Sequence, residues 1–405
     1  MPTPIEGAWA ALFMNLTIIL FMGLAGLAAA LGLWPFGFYQ ATLIAARRLH
    51  DFPTTPRPAI HIAPETFAIC LCAYNERAVI REKVEDLLRL REAAGGGLEI
   101  LVYVDAANDG TAAILERYRG RITLHVSPER RGKTYGMNLL VRSTEASVVM
   151  FTDANVLIDA SAVAVLRRYF ADPAIGCVCS SLTYVNTETS DTAAVGAAYW
   201  RFNEWTKALE TATGSVIGAD GSLFAIRRRL HRVVPKGLFD DIYVSLGVLL
   251  QGYRVVRAPE LLAFEAHSTE ARDEYRRKIR IACECMHVHF ALWPELRWLD
   301  GWNLYKYVAH RLLRWLGGYF LAFAVLLVLA ALSLLLGPLW MLGLMAAGSL
   351  AFWLMLRLRI GIASKFWNAL LAFVGTSVGV WQAWQGKRAV IWESPQSARG
   401  VMERR

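Results

Sequence analysis

The stretch Val148 to Leu157, VVMFTDANVL, decides how the rest of the chain is read. Four apolar residues, Val148 to Phe151, run into the polar group Asp153, Ala154 and Asn155. A short apolar run with polar boundaries reads as a buried strand. In open α/β sheets, ligands bind just beyond the carboxyl ends of such strands, so Asp153 is placed to meet one. Asp153 and Asn155 put two oxygen-bearing side chains one residue apart, the donor type that a hard cation on phosphate oxygens wants. The competing reading is a strand end closed by an Asx turn.

On either side of this stretch, strands alternate with helices. Phe67–Cys72 reads as a strand and Ala78–Arg91 as an amphipathic helix, with Val79, Val84, Leu87, Leu88 and Leu90 inward and Arg81, Glu82 and Lys83 facing water. After a turn at Gly95–Gly97, strands at Glu99–Val104 and Ile122–Val126 flank helix Thr111–Arg119, and helix Thr134–Ser143 precedes the central strand. This alternation predicts a mainly parallel α/β sheet with helices on both faces. Polar residues follow three of the strands, at Ala73–Glu76, Asp105–Asp109 and Asp153–Asn155, and one crevice can collect them all. No Gly-x-Gly-x-x-Gly follows the first strand and Gly132-Lys133 lacks P-loop spacing, so neither a dinucleotide fold nor a P-loop is supported. Further on, a helix at Ser161–Phe170, a strand near Ile175–Ser180, a helix at Ala194–Thr211 and a helix at Ile242–Leu250 are expected. Gly252 caps the last of these, and two short strands follow, Tyr253–Arg257 and Leu261–Phe264.

Of the 405 residues, 55% are hydrophobic, and the excess lies at the two ends. Ala8–Leu33 is an uncharged run long enough to span a bilayer. It reads as a retained anchor, and the basic Arg47, Arg48 and His50 mark the cytoplasmic side. Trp315–Leu336, Leu339–Leu356 and Phe366–Trp384 read as three more spans. The exit of the last is basic where alternation puts it outside, so that segment is re-entrant or interfacial, or the charge rule fails there. The expected organisation is an anchor (1–40), a Pro-rich linker (41–64), a catalytic domain (65–270), interfacial amphipathic helices (271–314), C-terminal transmembrane helices (315–386) and a tail (387–405). Within the interfacial region, Arg272–Leu292 lies on the membrane or packs on the domain. A net charge of +9 fits anionic lipid or phosphate-bearing substrates better than nucleic acid, for which no motif is present. No charged residue lies well inside a span, which argues against a transporter. The Cys-x-Cys pairs 70/72 and 177/179 read as core residues of a reducing compartment. Zinc usually takes wider spacing.

Taken in order, the motifs resemble those of membrane-bound inverting glycosyltransferases of family 2, the group of cellulose, hyaluronan and poly-N-acetylglucosamine synthases. The resemblance covers roughly Phe67–Arg280 and implies a GT-A-like nucleotide-sugar-binding sheet flanked by transmembrane helices. AYNER matches the first-strand motif and implies donor contacts from Ala73, Tyr74, Asn75 and Glu76. VDAANDGT implies Asp105 at the uracil or ribose and Asp109 as its structural partner, with Ala106 and Ala107 in place of the usual Gly and Ser. RRGKTYGMN implies Lys133 near the diphosphate, before a helix N-terminus that itself favours anions. FTDAN stands in the Asp-x-Asp place, which implies Mg2+ or Mn2+ held by Asp153 and Asn155, the latter offering only a neutral oxygen.

GSVIGADGSLFAIRR resembles the acceptor-side segment and implies Gly218, Ala219 and Asp220 there, with Asp240 beside them. FDD implies Asp241 as the catalytic base; the alternative is that Asp240 and Asp241 only cap the following helix. Processive members carry Gln-x-x-Arg-Trp where this chain has Arg277-Lys278-Ile279-Arg280-Ile281. Arg277 and Arg280, one turn apart, suit a diphosphate, while the stacking Trp is absent. The implied reaction moves a sugar from a nucleotide sugar, a UDP-sugar above others, to a polysaccharide or lipid-linked saccharide. It would occur at the cytoplasmic face of the inner membrane, in exopolysaccharide synthesis with export partners unspecified. The alternatives are transfer of a single sugar to a lipid acceptor, or a catalytically silent membrane subunit of an export assembly.

Overall fold

The computed structural model describes residues 4–53, 56, 65–185, 191–266, 271–358 and 360–388. Most of the expected linker after Pro53 and the tail beyond Arg388 lie outside the described residues. The chain opens with α1 (Pro4–Leu33), a 3₁₀ turn at Trp34–Phe36 and α2 (Phe38–Leu49). Helix α2 occupies the first part of the stretch expected as linker. Its Tyr39, Gln40 and Leu43 are buried while Arg47 and Arg48 close its last turn, a pattern masked in the sequence by the basic cluster.

The domain that follows contains β1 (Phe67–Ala73), α3 (Ile80–Ala93), β2 (Leu98–Asp105), α4 (Thr111–Glu116), β3 (Thr123–Ser127), α5 (Lys133–Arg142) and β4 (Val148–Thr152). Its second half holds β5 (Val156–Ile158), α6 (Ala162–Phe170), β6 (Ile175–Tyr184), α7 (Asp191–Ala212), β7 (Leu223–Arg227), α8 (Asp240–Leu250) and β8 (Arg254–Glu265). Eight strands form one mixed sheet in the order β3-β2-β1-β4-β7-β6-β8-β5. The pairs β1/β2, β1/β4, β2/β3 and β6/β8 are parallel, and β7 runs antiparallel to both neighbours. Strands β1, β2 and β4 have both faces covered, which is why they read as continuous apolar runs rather than alternating ones.

Two sequence expectations change here. The strands expected at Tyr253–Arg257 and Leu261–Phe264 are one strand, β8, whose ladder to β6 shifts register between Cys179 and Ser181, opposite the segment carrying Pro259. A proline has no amide to give a ladder, and the irregularity lets the strand continue past it. Lys83, expected in water, is fully buried; it donates to the Thr152 hydroxyl at 3.2 Å and to the Val156 carbonyl. It thereby ties α3 to the turn at Asp153. All six cysteines are free, and the 70/72 and 177/179 pairs sit on strands.

Beyond the sheet come α9 (Ala271–Leu296), α10 (Gly301–Lys306), a π-helical stretch at Tyr307–Leu312, α11 (Leu313–Leu336), α12 (Pro338–Arg357) and α13 (Gly361–Trp384). Among the described residues, three segments are long and apolar enough to cross a membrane: Leu12–Phe36, Gly301–Leu336 and Pro338–Arg357. Phe13, Ile19, Leu339, Trp340 and Leu342 are each more than 60% exposed on two of them, as lipid-facing residues would be. The fourth expected span, in α13, is a helix but not one of the three. Asn368, Thr376, Ser377 and Gln382 dilute it, and it packs closely on protein. A β-carbon at Gly379 would lie 2.3 Å from the Ile279 carbonyl of α9, and one at Gly318 would meet Ser377. Helix α9 buries Ala282, Cys283, Cys285, Met286 and Val288 in the core it shares with the sheet, so its apolar face is covered by protein.

Candidate active site

Parallel pairing of β1 with β2 and with β4 brings three strand ends side by side, and the loops leaving them are locked together. Asn75 takes the left-handed conformation (φ 53°) and its Oδ1 accepts from the Asn108 amide at 3.0 Å. The Glu76 amide donates to Thr111 Oγ1, and the Glu76 carboxylate is buried. Asp109 accepts from the Arg77 amide and from the amide and hydroxyl of Thr111. Asp105 accepts from the Arg131 amide at 2.7 Å and the Gly132 amide at 3.0 Å. It therefore shapes the basic loop before α5. Arg130 in that loop lies 3.6 Å from Asp105 and 3.3 Å above the Tyr74 ring.

Lys133, the first residue of α5, donates to Asp153 Oδ1 at 2.9 Å and pairs with Asp240 Oδ2 at 3.1 Å. Burial opposes the lysine charge, but Asp153 and Asp240 outweigh it and hold the ammonium well above the ordinary lysine range. Asp240 and Asp241 open α8, and Asp241 is 3% exposed. Burial, with the neighbouring Asp240, raises the Asp241 carboxyl well above the carboxylate range while Lys133 pulls it down. Phe239 takes the N-cap position, and Asp241 Oδ1 accepts from the first-turn amide of Ile242. The other oxygen faces Gly221. A β-carbon there would stand 3.2 Å from Asp241 Oδ2 and 3.6 Å from Asp153 Oδ2, so this glycine keeps open the space between the two carboxylates.

Asn155 donates from Nδ2 to Glu265 Oε1 at 3.0 Å. Glu265 ends β8, one residue past the strand as read from sequence, and burial pushes it up to about 7 against the opposing pull of Arg277. Arg280 sits 3.8 Å from Glu284 on α9. Both Arg277 and Arg280 line the same cavity of about 550 Å³ as Asp105, Lys133, Asp153 and Asp241.

The loop after α7 is held by residues that lead into α11. Gly218 has φ 90°, which favours glycine, and a side chain there would meet the Arg311 guanidinium. Arg311 donates to the Ile217 carbonyl at 2.6 Å and the Gly218 carbonyl at 2.9 Å. Lys306 donates to the Ser215 carbonyl at 2.7 Å, and Glu210 accepts from the Ile217 amide at 3.1 Å. The Ala219 amide donates to Ser245 Oγ at 2.8 Å, and Asp220 pairs with buried Lys207. Ala219 and Asp220 line the cavity, while Gly218 acts through its carbonyl.

Residues 68–234 match the model of glycosyl transferase family 2. The chain carries a family 2 glycosyltransferase domain. It is 23% identical over 288 residues to an N-acetylglucosaminyltransferase of Bradyrhizobium diazoefficiens, covering 67% of this chain and 58% of the relative. A poly-beta-1,6-N-acetyl-D-glucosamine synthase of Staphylococcus aureus is 25% identical over 205 residues, 48% of each chain. The chain thus matches about half the length of these curated relatives. A mannosyltransferase from Pyrobaculum calidifontis, solved with GDP-Man and Mn2+, superposes with a TM-score of 0.65 at 23% identity over 90% of this chain and all of that one, which shows the shared GT-A fold. The chain has the fold of these glycosyltransferases.

Within the glycosyltransferase domain, the structure gathers Tyr74, Glu76, Asp105, Lys133, Asp153, Asn155, Asp240, Asp241, Arg277 and Arg280 around one cavity. Sequence reading missed Glu265, Gly221, Arg311 and Arg314, which line it too. For the two arginines the available signal was their spacing, three residues apart at the entry to a span, but basic residues there read equally as membrane-flank charges.

Proposed function

We propose that this chain is a membrane-bound inverting glycosyltransferase that transfers a sugar from a nucleotide sugar, a UDP-sugar first among candidates, to a hydroxyl of a polysaccharide or lipid-linked saccharide. Its setting would be the cytoplasmic face of the inner membrane, in exopolysaccharide synthesis. The observation that carries this reading is Asp241: a buried carboxylate with raised proton affinity, separated from the Lys133–Asp153 pair only by the space above Gly221.

In this reading Asp241 takes the proton of the acceptor hydroxyl as its oxygen bonds the anomeric carbon, and the bond to the diphosphate breaks on the opposite face. A base with raised pKa is better matched to that proton than an ordinary carboxylate. Lys133, Arg277 and Arg280 supply cations for the leaving diphosphate. Binding it would draw Lys133 away from Asp153 and Asp240. The Asp153 carboxylate, the Asn155 amide oxygen and the neighbouring Glu265 are hard oxygen donors that fit Mg2+ or Mn2+. Among the described residues no cluster of three His, Cys, Asp or Glu forms a metal cage, so these side chains need diphosphate oxygens and water to complete a shell. A bound divalent ion would supply charge neutralisation at the diphosphate.

Transfer of a single sugar to a lipid acceptor is the second reading, favoured by Ile281 where processive relatives carry a stacking Trp. Nucleoside diphosphate release by the purified full chain, with a panel of UDP- and GDP-sugars, tests the proposal, and product mass separates a polymer ladder from one added sugar. Turnover lost in Asp241→Asn is expected. No turnover with any donor would sink it.

A further inference from the structure

The cavity continues past Asp241 toward the membrane helices, and its character changes there. Arg314, in the first turn of α11, donates from Nη1 to the Tyr199 hydroxyl at 3.2 Å and to Asn203 Oδ1 at 3.1 Å. Its Nε and Nη2 are shut off from solvent with no hydrogen-bond partner among the described residues. Among the described residues, the hydrogen bonds of Arg311 go to the Ile217 and Gly218 carbonyls. Neither arginine has a carboxylate partner among the described residues. Lys278 of α9 places its ammonium 4.3 Å from the centre of the Tyr199 ring. The three cations act together on one group: burial opposes ionisation of the Tyr199 hydroxyl, yet Arg314, Lys278 and Arg311 bring its proton affinity below the ordinary tyrosine value. A buried guanidinium with unmatched donors and no counter-charge is costly unless an anion completes it.

The walls beside these cations are largely apolar, with Asn368 and Thr376 as the polar side chains that α13 adds. Phe36, Trp315, Leu371 and Phe373 line the same cavity, and they belong to the end of the first span, the start of α11 and the middle of α13. A neutral glycan needs acceptors and stacking surfaces, and a free phosphate has no use for an apolar wall. An anionic head on a hydrocarbon chain uses both. On the reading given above, the donor diphosphate is already served on the sheet side by Lys133, Arg277 and Arg280.

We propose that Arg314, with Arg311 and Lys278 around Tyr199, binds the phosphate of a lipid-linked saccharide acceptor, whose hydrocarbon chain leaves along Phe36, Leu371 and Phe373 into the bilayer. The inference rests on the glycosyltransferase reading and narrows its acceptor. Held there, the lipid phosphate lies in the cavity that Asp241 shares, and the saccharide extends toward the base.

The test is binding of dodecyl phosphate to the full chain in phosphatidylcholine nanodiscs, against dodecanol and inorganic phosphate. Dodecyl phosphate should bind saturably and at least about tenfold more tightly than either fragment. Arg314→Gln should weaken it by about tenfold or more, Arg314→Lys by less, with melting temperature and nucleoside diphosphate affinity unchanged. Lys278→Gln is the second variant, expected to weaken binding in the same direction even if Arg314→Gln does not fold. Inorganic phosphate binding as tightly as dodecyl phosphate overturns the proposal, as does wild-type affinity in a folded charge-removing variant. Donor turnover with a lipid site that fails these arms defeats this inference alone. Absence of turnover with any donor defeats the glycosyltransferase reading, and the binding result stands apart from it.

Discussion

The sheet side and the membrane side of the cavity solve the same problem, keeping charge in a buried place, in opposite ways. On the sheet side the main charges meet one another or backbone amides: Asp105 takes two amides, Lys133 takes Asp153 and Asp240, and Arg280 has Glu284. On the membrane side, among the described residues, Arg311 meets carbonyls and Arg314 meets neutral oxygens with two nitrogens unmatched. A self-neutralised site rearranges to accept a ligand that brings its own charges, whereas a site with surplus cations attracts an anion outright. On the proposed reading, the two substrates of the reaction take two walls of one cavity.

That contrast is broken most decisively at Asp241. Asp241→Asn should lower kcat by about 10³-fold and leave nucleoside diphosphate affinity within about twofold, since a general base is used only in the transition state. Equal loss in binding, by titration calorimetry, would make Asp241 a scaffold residue instead. Next, Lys133→Met should weaken donor binding by about ten- to a hundredfold, and initial-rate kinetics should place the loss in the donor KM. The same variant should move the acidic limb of the pH–rate profile upward, because the cation that lowers the Asp241 pKa is gone. An unmoved limb would uncouple the two residues.

Glu265→Gln should weaken Mn2+ binding in the presence of nucleoside diphosphate by about tenfold, read by electron paramagnetic resonance, and Asn155→Asp should tighten it. Unchanged Mn2+ affinity in both would move the metal away from this corner. The smallest expected effect is on the membrane side. Arg311→Gln should raise the acceptor KM by about fivefold with the donor KM unchanged, because the guanidinium holds the 217–218 carbonyls.

Much of the sheet side was legible before the fold was known, because buried parallel strands and the residues at their ends are local features. VVMFTDAN announces both a strand and the polar turn that ends it within eight residues. What stayed hidden was brought together from afar. Lys83 sits on a helix whose periodicity turns it to water, yet it reaches across to Thr152 and Val156, and no helical wheel shows what packs on its other side. Glu265 ends a strand that Pro259 divides in the sequence and the β6 ladder holds together. Arg311 and Arg314 read as the flank of a span; their approach to Gly218 and Tyr199 joins residues about a hundred positions apart. Helix α2 was lost in a basic stretch, though Tyr39 and His310 both bond Glu210 in the buried joint between membrane segment and domain.

The central claim is that buried Asp241, with its raised proton affinity, removes the proton from the acceptor. It is tested most directly by the pH dependence of single-turnover transfer in wild type and Asp241→Asn. The carboxylate is the active form, so the wild-type rate should fall as pH drops through its pKa. The midpoint should lie above the ordinary carboxylate value of about 4, and the variant should show no such limb. A wild-type rate flat through the acidic range, or the same limb persisting in Asp241→Asn, would contradict it.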